Sequence, residues 1–336
     1  MAGERSLSKY QWGIETTRGT AVAATRIIGA TPKAVPQDRI WEPVRLAKGQ
    51  RVDRTGKRND ELLVRDTLTF DNGYFQALPG LFICSLDGTI TPAEVNVGQS
   101  DYKWDVAPSL TAANAPDTLT IEMGDDTQAY EVEYCMFDRL VFTGDMAQDG
   151  GASAVKIDAS YFGRQVTPTT FTASQALHTG LEFMNAKLAR LYMDTAFSGI
   201  GGTEQTALLR GFELEFITGN HPKFMGSANK YFTTYGEGDL GVMLTLTLEG
   251  AAGADSIFDL FQAGTERAIR LDINGSQIGT GANRQFRTDL YGYFESVVPL
   301  NAESNGNNLH QALFVAMPDA AANFIDIDVV TDQAAV

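Results

Sequence analysis

Two short segments set pairs of carboxylates between large apolar groups: YEVEY at 130–134 and FELEF at 212–216. Carboxylate pairs serve two chemistries. Held about 5–10 Å apart across a cleft, they cleave glycosidic bonds as acid and base or nucleophile. Gathered with further oxygen donors, they hold hard cations. In this chain the members of each pair stand two residues apart. On a β-strand that spacing puts Glu131 and Glu133 on one face and Tyr130, Val132 and Tyr134 on the other. Glu213 and Glu215 oppose Phe212, Leu214 and Phe216 in the same way. The pattern is that of half-buried strands with one dry face and one acidic face.

Other reactive residue types form no convergent set. His178, His221 and His310 are not at metal-ligand spacing such as H-E-x-x-H, and no G-x-S-x-G elbow occurs. Cys84 and Cys135 lie in apolar runs and are predicted to be buried, reduced thiols. DINGSQIGTG (272–281) lacks the closing Glu of a calcium loop and reads as a hairpin turn. SGIGGTEQ (198–205) does not join a strand to a helix, so it reads as a connector. The chain is therefore read as a non-enzyme, with no catalytic, cofactor-binding or metal-binding residues and no cofactor.

The positioning elements are β-strands. Alternating or β-branched runs recur from residue 61 onward, among them LLVRDTLTF (62–70), DTLTIEM (117–123), AVKIDASYF (154–162), GVMLTLTLEG (241–250) and FRTDLYGYFESV (286–297). Clusters of Gly, Asn, Asp or Pro separate most of them, which is the spacing of sandwich or barrel strands. ADSIFDLFQAG (254–264) is the firm helix, with Asp255 or Ser256 as its cap, an apolar stripe of Ile257, Phe258, Leu260 and Phe261, and Gly264 at its end. NGYFQALPGLFICSLDG (72–88) carries a similar stripe that Pro79 must break or kink. DTLTFDNGYFQALPGLF (66–82) and LTLTLEGAAGADSIFDLF (244–261) share an order of Thr-alternating strand, acid, glycine and aromatic-rich helix, which predicts an internal duplication.

The chain of 336 residues carries 26 Lys plus Arg against 42 Asp plus Glu, a net of −16. Such a balance excludes tight, sequence-independent nucleic-acid binding, which needs clustered cations on phosphates. The distribution is uneven: residues 1–70 hold 13 basic and 8 acidic residues, and the rest holds 13 and 34. Residues 1–60 contain few periodic apolar positions. They are predicted to be an extended basic arm, with Arg45, Lys48, Arg51, Arg54, Lys57 and Arg58 contacting a neighbouring subunit. Two mainly β, sandwich- or barrel-like domains follow at 61–186 and 187–336, each with a short flanking helix. The N-terminus lacks an apolar signal core and no run reaches membrane-span length, so synthesis in the cytoplasm without a membrane anchor is expected.

WGIETTRGTAVAAT (12–25), with Gly13, Glu15, Gly19 and Thr20 in a G-x-E-x-x-x-G-T element, resembles the opening of tail tube proteins of long-tailed bacteriophages. LLRGFELEFITGNHPKF (208–224) and GVMLTLTLEGAAGADSIFDLFQAG (241–264) are similar to that family's strand before a turn and its strand followed by a flanking helix. The resemblance implies a structural virion protein. Its copies join side by side into rings, close an inner β-barrel and stack into a tube for genome delivery. Duplicated domains would make three chains per ring, favoured over six. The implied partners are other copies of the chain, the tape measure and tail terminator proteins, and double-stranded DNA that passes without tight binding. Glu131, Glu133, Glu213 and Glu215 are then candidate lumen-facing acids, since an acidic wall repels duplex within the ~8 Å over which physiological salt leaves charge unscreened. Acidic faces also serve plain solubility. The competing readings are a virion decoration or receptor- or carbohydrate-binding β-sandwich, with exposed aromatic residues clustered at loop tips, and a polysaccharide-cleaving enzyme.

Overall fold

The computed structural model describes residues 5–49, 51–146, 153–304 and 306–336. Residues 1–4 and 50 of the predicted arm lie outside them. The first half contributes β1 (Lys9–Ile14), β2 (Arg26–Ile28), a hairpin of β3 (Glu42–Val44) and β4 (Gly56–Arg58), and β5 (Val64–Phe70). Helix α1 (Leu78–Ile83), β6 (Ala93–Glu94), β7 (Tyr102–Val106), β8 (Leu119–Gly124), β9 (Ala129–Asp145), β10 (Lys156–Gly163) and β11 (Val166–Thr169) follow. The second half supplies β12 (Ala189–Asp194), β13 (Leu209–Ile217), a hairpin of β14 (His221–Lys223) and β15 (Thr234–Gly236), and β16 (Gly241–Glu249). Helix α2 (Ala252–Ala263), β17 (Arg267–Gln277), β18 (Asn283–Ser304), β19 (Asn307–Ala316) and β20 (Ile325–Thr331) complete it. The protein is mainly β, and sixteen strands join one hydrogen-bonded sheet.

One pairing path occurs twice. Strands β1–β8–β9–β10–β5 pair in that order, all antiparallel. Strands β12–β17–β18–β19–β16 pair in the same order and sense. A helix follows β5 and another follows β16. The ladder between β9 and β10 skips one residue between Phe137 and Arg139, and the ladder between β18 and β19 skips one between Phe294 and Ser296. The two halves meet where residues 139–145 of β9 pair with β13. A central layer of seven strands, β5-β10-β9-β13-β16-β19-β18, thus runs unbroken through both.

The apolar face of this layer follows from alternation. Phe212, Leu214 and Phe216 are buried, as are Val242, Leu244, Leu246 and Leu248 across the ladder on β16. Phe82 of α1 lies on the same core, stacked on Phe142 and Phe286 with ring centres 6.0 Å away and edge-on to Phe216 at 5.8 Å. The core is one cluster that draws residues from both halves. Pro79 sits in the first turn of α1, where its missing N–H leaves no helical bond unmade, so it starts the helix instead of kinking it. In α2 the N-cap is Ala251, with no side-chain cap, while the hydroxyl of Ser256 bonds back to the Ala252 carbonyl; Gly264 ends the helix at φ 60°.

Two expectations are corrected. Residues 1–60 are not one extended arm: β1 pairs with β8 in the main sheet, and Tyr10 and Trp12 are buried in the core. What projects is the β3–β4 hairpin, a separate two-stranded sheet. Tyr134 does not share a face with Val132. Its φ of 53° breaks the alternation, and its ring joins a small cluster with Met136, Phe162 and Phe232.

That break has a defined support. The Tyr134 N–H donates to Glu15 Oε1 (2.7 Å), and the Gly19 N–H donates to Glu15 Oε2 (2.6 Å). The hydroxyls of Thr118 and Thr120 donate to the same carboxylate at 2.6 and 3.1 Å. Arg164 covers the outside: its guanidinium lies 4.5 Å from the centre of the Tyr134 ring and donates to the carbonyls of Gly19 and Phe232. Gly19 has φ 73°, a conformation that favours glycine, and a Cβ there would stand 2.1 Å from Arg164 Nη1 and push the guanidinium off its place. Glu15→Ala should cost roughly 2–6 kcal/mol, taking about 1–3 for each of the two orphaned N–H groups. A urea midpoint equal to wild type would show that the carboxylate does not hold the bend.

Candidate functional site

The solvent face of the central layer can be read row by row from its ladders. One row runs Asp158, Val141, Glu215, Met243, Val315 and Tyr293; the next runs Lys156, Thr143, Glu213, Thr245, Leu313 and Ser296. Its cations are paired within the face. Arg139 bonds Glu215 by charge-assisted contact, Lys156 lies 2.7 Å from Asp158, Arg65 lies 3.2 Å from Asp138 and Arg210 lies 3.3 Å from Glu249. The Glu215 hydrogen bond raises the pKa of Arg139 against the lowering effect of burial, so the guanidinium stays charged. Glu213 is exposed, flanked by Thr143 and Thr245, and carries no ion pair among the described residues. The face is thus studded with neutralised pairs beside the open acid Glu213, not lined by bare carboxylates.

The two carboxylate pairs predicted to act alike do not share a stretch of sheet. Glu131 and Glu133 lie on the part of β9 that pairs with β8 and β11, where Glu131 faces Glu122 and Thr167. The β9 residue beside Glu213 is Thr143, ten positions beyond Glu133, or about 33 Å of strand at roughly 3.3 Å per residue. Burial, then Glu122, raises the Glu131 carboxyl. Burial also raises Glu133, against the lowering effect of Arg164. Sequence alternation identified all four as facing away from the core, but the partners that set their charge come from distant strands.

The β3–β4 hairpin carries the predicted arm cations. Arg58 bonds Glu42 (2.8 Å) and Asp60 (3.1 Å), Arg45 bonds Asp53 (2.9 Å), and Arg54 also approaches Asp53 (3.7 Å). Lys57 lies over the Trp41 ring at 4.4 Å. Lys48 and Arg51 are exposed near its tip. Beside these charges Ile40, Trp41, Leu46 and Val52 are all more than half exposed, a composition of large apolar groups that a solvated loop does not need. Sequence reasoning singled out the cations and missed these apolar neighbours. The exposed rings of Trp41, Phe183 and Phe224 lie against different neighbours, Lys57, Tyr74 and Phe232, with no ring contact joining them among the described residues.

Cys84 and Cys135 are free and fully buried, and burial pushes both thiols well up, so neither is poised as a nucleophile. DINGSQIGTG supplies the end of β17 and, from Ile278, the turn of the β17–β18 hairpin. In SGIGGTEQ, the N–H groups of Gly201 and Gly202 donate to Asp194 at 2.9 and 3.1 Å. Asp105, Asp326 and Asp328 approach closely enough to hold a metal ion. Lys103 supplies positive charge there, 2.6 Å from Asp328 and 3.2 Å from Asp105, and Arg287 bonds Asp328. Among the described residues no helix is long and apolar enough to cross a membrane. No protein-family model matches the chain, and no curated protein matches it.

Burial first, then the charges of Asp105 and Asp289, push the Asp326 carboxyl up to about 6, against the lowering effect of Lys103. A carboxyl raised in the fold contributes fully below its unfolded value of about 3.9, and that contribution is lost as the pH climbs through the folded value. Asp326→Asn should therefore raise the urea midpoint relative to wild type at pH 8 and not at pH 4. Equal differences at the two pH values would contradict this assignment.

Proposed function

We propose that this chain is a structural virion protein whose copies assemble side by side into rings, stacked as the tail tube of a long-tailed bacteriophage. The observation that carries the reading is the repeated pairing path with its unbroken seven-strand layer. Two equivalent halves already sit side by side through the β9–β13 ladder, so the chain is a tandem of two tube domains, the first with the β3–β4 hairpin as its extension. A layer that is open at both ends extends by adding further halves. Three chains would give six equivalent units, which favours a trimeric ring over one of six chains.

The charge arrangement suits a conduit. Duplex carries one negative charge per roughly 1.7 Å and binds wherever free cations cluster. On the solvent face of the central layer Arg65, Arg139, Lys156 and Arg210 are held by carboxylates, and Glu213 is left open. With this face toward the lumen, passing DNA meets no free cation to bind. Glu131 and Glu133, on a different stretch, then contribute to the field and not to the same wall. The projecting hairpin, with its cations and exposed apolar groups, suits docking on the acidic body of the next ring. Tape measure and tail terminator proteins would be the further partners, in the virion after assembly in the host cytoplasm.

Native mass spectrometry of the purified protein should give a closed species of three chains, and negative-stain images should show rings or tubes. Six chains per ring would remove the duplicated-domain argument, and a monomer at high concentration would remove the tube reading in favour of a decoration or binding module.

The hairpin provides a separate test. Replacing residues 40–58 by a short Gly/Ser linker removes no strand of the main sheet, so the unfolding free energy should stay within about 0.5 kcal/mol of wild type, the range of surface changes. Ring stacking should fall sharply. Tubes of normal length from that variant would exclude the hairpin from stacking.

A further inference from the structure

The central layer ends in two unlike edges. At one end β18 beyond residue 292 pairs with β19 alone; among the described residues no strand bonds its other side. Val298 and Leu300 there are 44% and 65% exposed. At the other end β5 pairs with β10 alone, and residues 31–38 run along its outer side without forming a ladder. The Thr31 N–H donates to the Thr69 carbonyl (2.7 Å), Lys33 Nζ donates to Asp66 and the Thr67 carbonyl, and the Leu63 N–H, just before β5, donates to the Asp38 carbonyl (3.1 Å). Between these bonds lie Pro32 and Pro36, which supply no N–H.

The chain contains a template for what these edges fit. The matched one-residue skips make Phe137 and Arg139 of β9 the counterparts of Phe294 and Ser296 of β18. Thr67–Thr69 of β5 corresponds to Thr245–Thr247 of β16 by the DTLTF and LTLTL match. Gly211 of β13 pairs with Thr247 as Thr31 bonds Thr69, so residues 31–37 stand where 211–217 stand in the other half. Inside the chain, β13 lies between β16 and β9, with Ile217 facing Arg139 and Glu215 facing Val141. Among the described residues no strand takes the corresponding place beside β18.

We infer that residues 31–38 are the counterpart of β13, and that they dock on the open edge of β18 in a second copy of this chain. This rests on the ring-forming reading above and names the two surfaces that join. The register carried over from the β9–β13 ladder sets Gln37 opposite Ser296 of the second copy, and Val35 opposite Val298. Pro32 and Pro36 keep the segment from templating unrelated strands while it waits. They also limit the hydrogen bonds across the new seam, leaving the apolar contacts of Val298 and Leu300 a larger share of the fit. The seam is therefore directional: β18 of one copy meets the 31–38 side of the next, which is the head-to-tail geometry that closes rings.

Cysteine cross-linking tests the seam, because both natural cysteines are fully buried. Gln37→Cys chains mixed with Ser296→Cys chains and oxidised with copper–phenanthroline should give a disulfide-linked dimer, at least tenfold above a control pairing Gln37→Cys with Thr111→Cys, an exposed loop position. The double variant Gln37→Cys/Ser296→Cys should give a ladder ending at the closed ring, a species that resists denaturant. Assemblies of several chains that show no linkage at 37–296 or 35–298 above the control would overturn the seam while leaving the tube reading intact. Chains that remain monomeric at every concentration would overturn both.

Discussion

The fold depends on a bend. Strand β9 runs for seventeen residues, and its first stretch belongs to the layer of β8 and β11 while its second belongs to the central layer. A strand can serve two layers only if its alternation is broken where it passes between them, and here the break is Tyr134 in the left-handed region. A non-glycine residue in that region costs of order 1–3 kcal/mol and persists where its surroundings over-determine it. Glu15, from the loop after β1, accepts the Tyr134 N–H, and Arg164, from the turn after β10, lies on its ring. The same arginine reaches the carbonyls of Phe232 and Thr233 in the second half. One buried carboxylate and one guanidinium thereby fix the bend and tie both halves to it.

The second half reaches a similar geometry by other means. Strand β18 also changes neighbours at Gly292, from β17 and β20 before it to β19 after it. A Cβ there would stand 2.0 Å from the Val315 carbonyl oxygen, so the close approach of two backbones replaces the tyrosine and its clamp. Two sequences with little identity thus reproduce the same pairing order and the same skipped residue, because pairing order follows from which faces must be buried and not from particular side chains.

The charges follow a comparable division of labour. On the outer sheet of β7, β20, β18 and β17, Lys103, Arg287 and Arg270 are interleaved with Asp105, Asp328 and Asp289. On the central layer each cation likewise sits beside an acid. On these two sheets the positive groups are already engaged by acids. The β3–β4 hairpin differs in that large apolar groups, Ile40, Trp41, Leu46 and Val52, reach solvent beside its cations.

Periodicity made much of this legible. FELEF and LTLTLEG read as half-buried strands because strict alternation over several residues has one physical solution. The hairpin around 272–281, whose turn lies at 278–282, and the buried thiols were likewise written in local composition. YEVEY misled: it has the pattern of FELEF, yet Tyr134 is turned out of register by a carboxylate 119 positions away in the chain. The first strand was passed over although Tyr10, Trp12 and Ile14 alternate in KYQWGI, because so short a run becomes a buried strand only when the distant β8 supplies its partner. The pairing of Glu215 with Arg139 joins residues 76 positions apart. Local sequence fixes what a residue prefers to face. Which charge or backbone group stands opposite is set by strand register between distant segments, and no short window of sequence contains it.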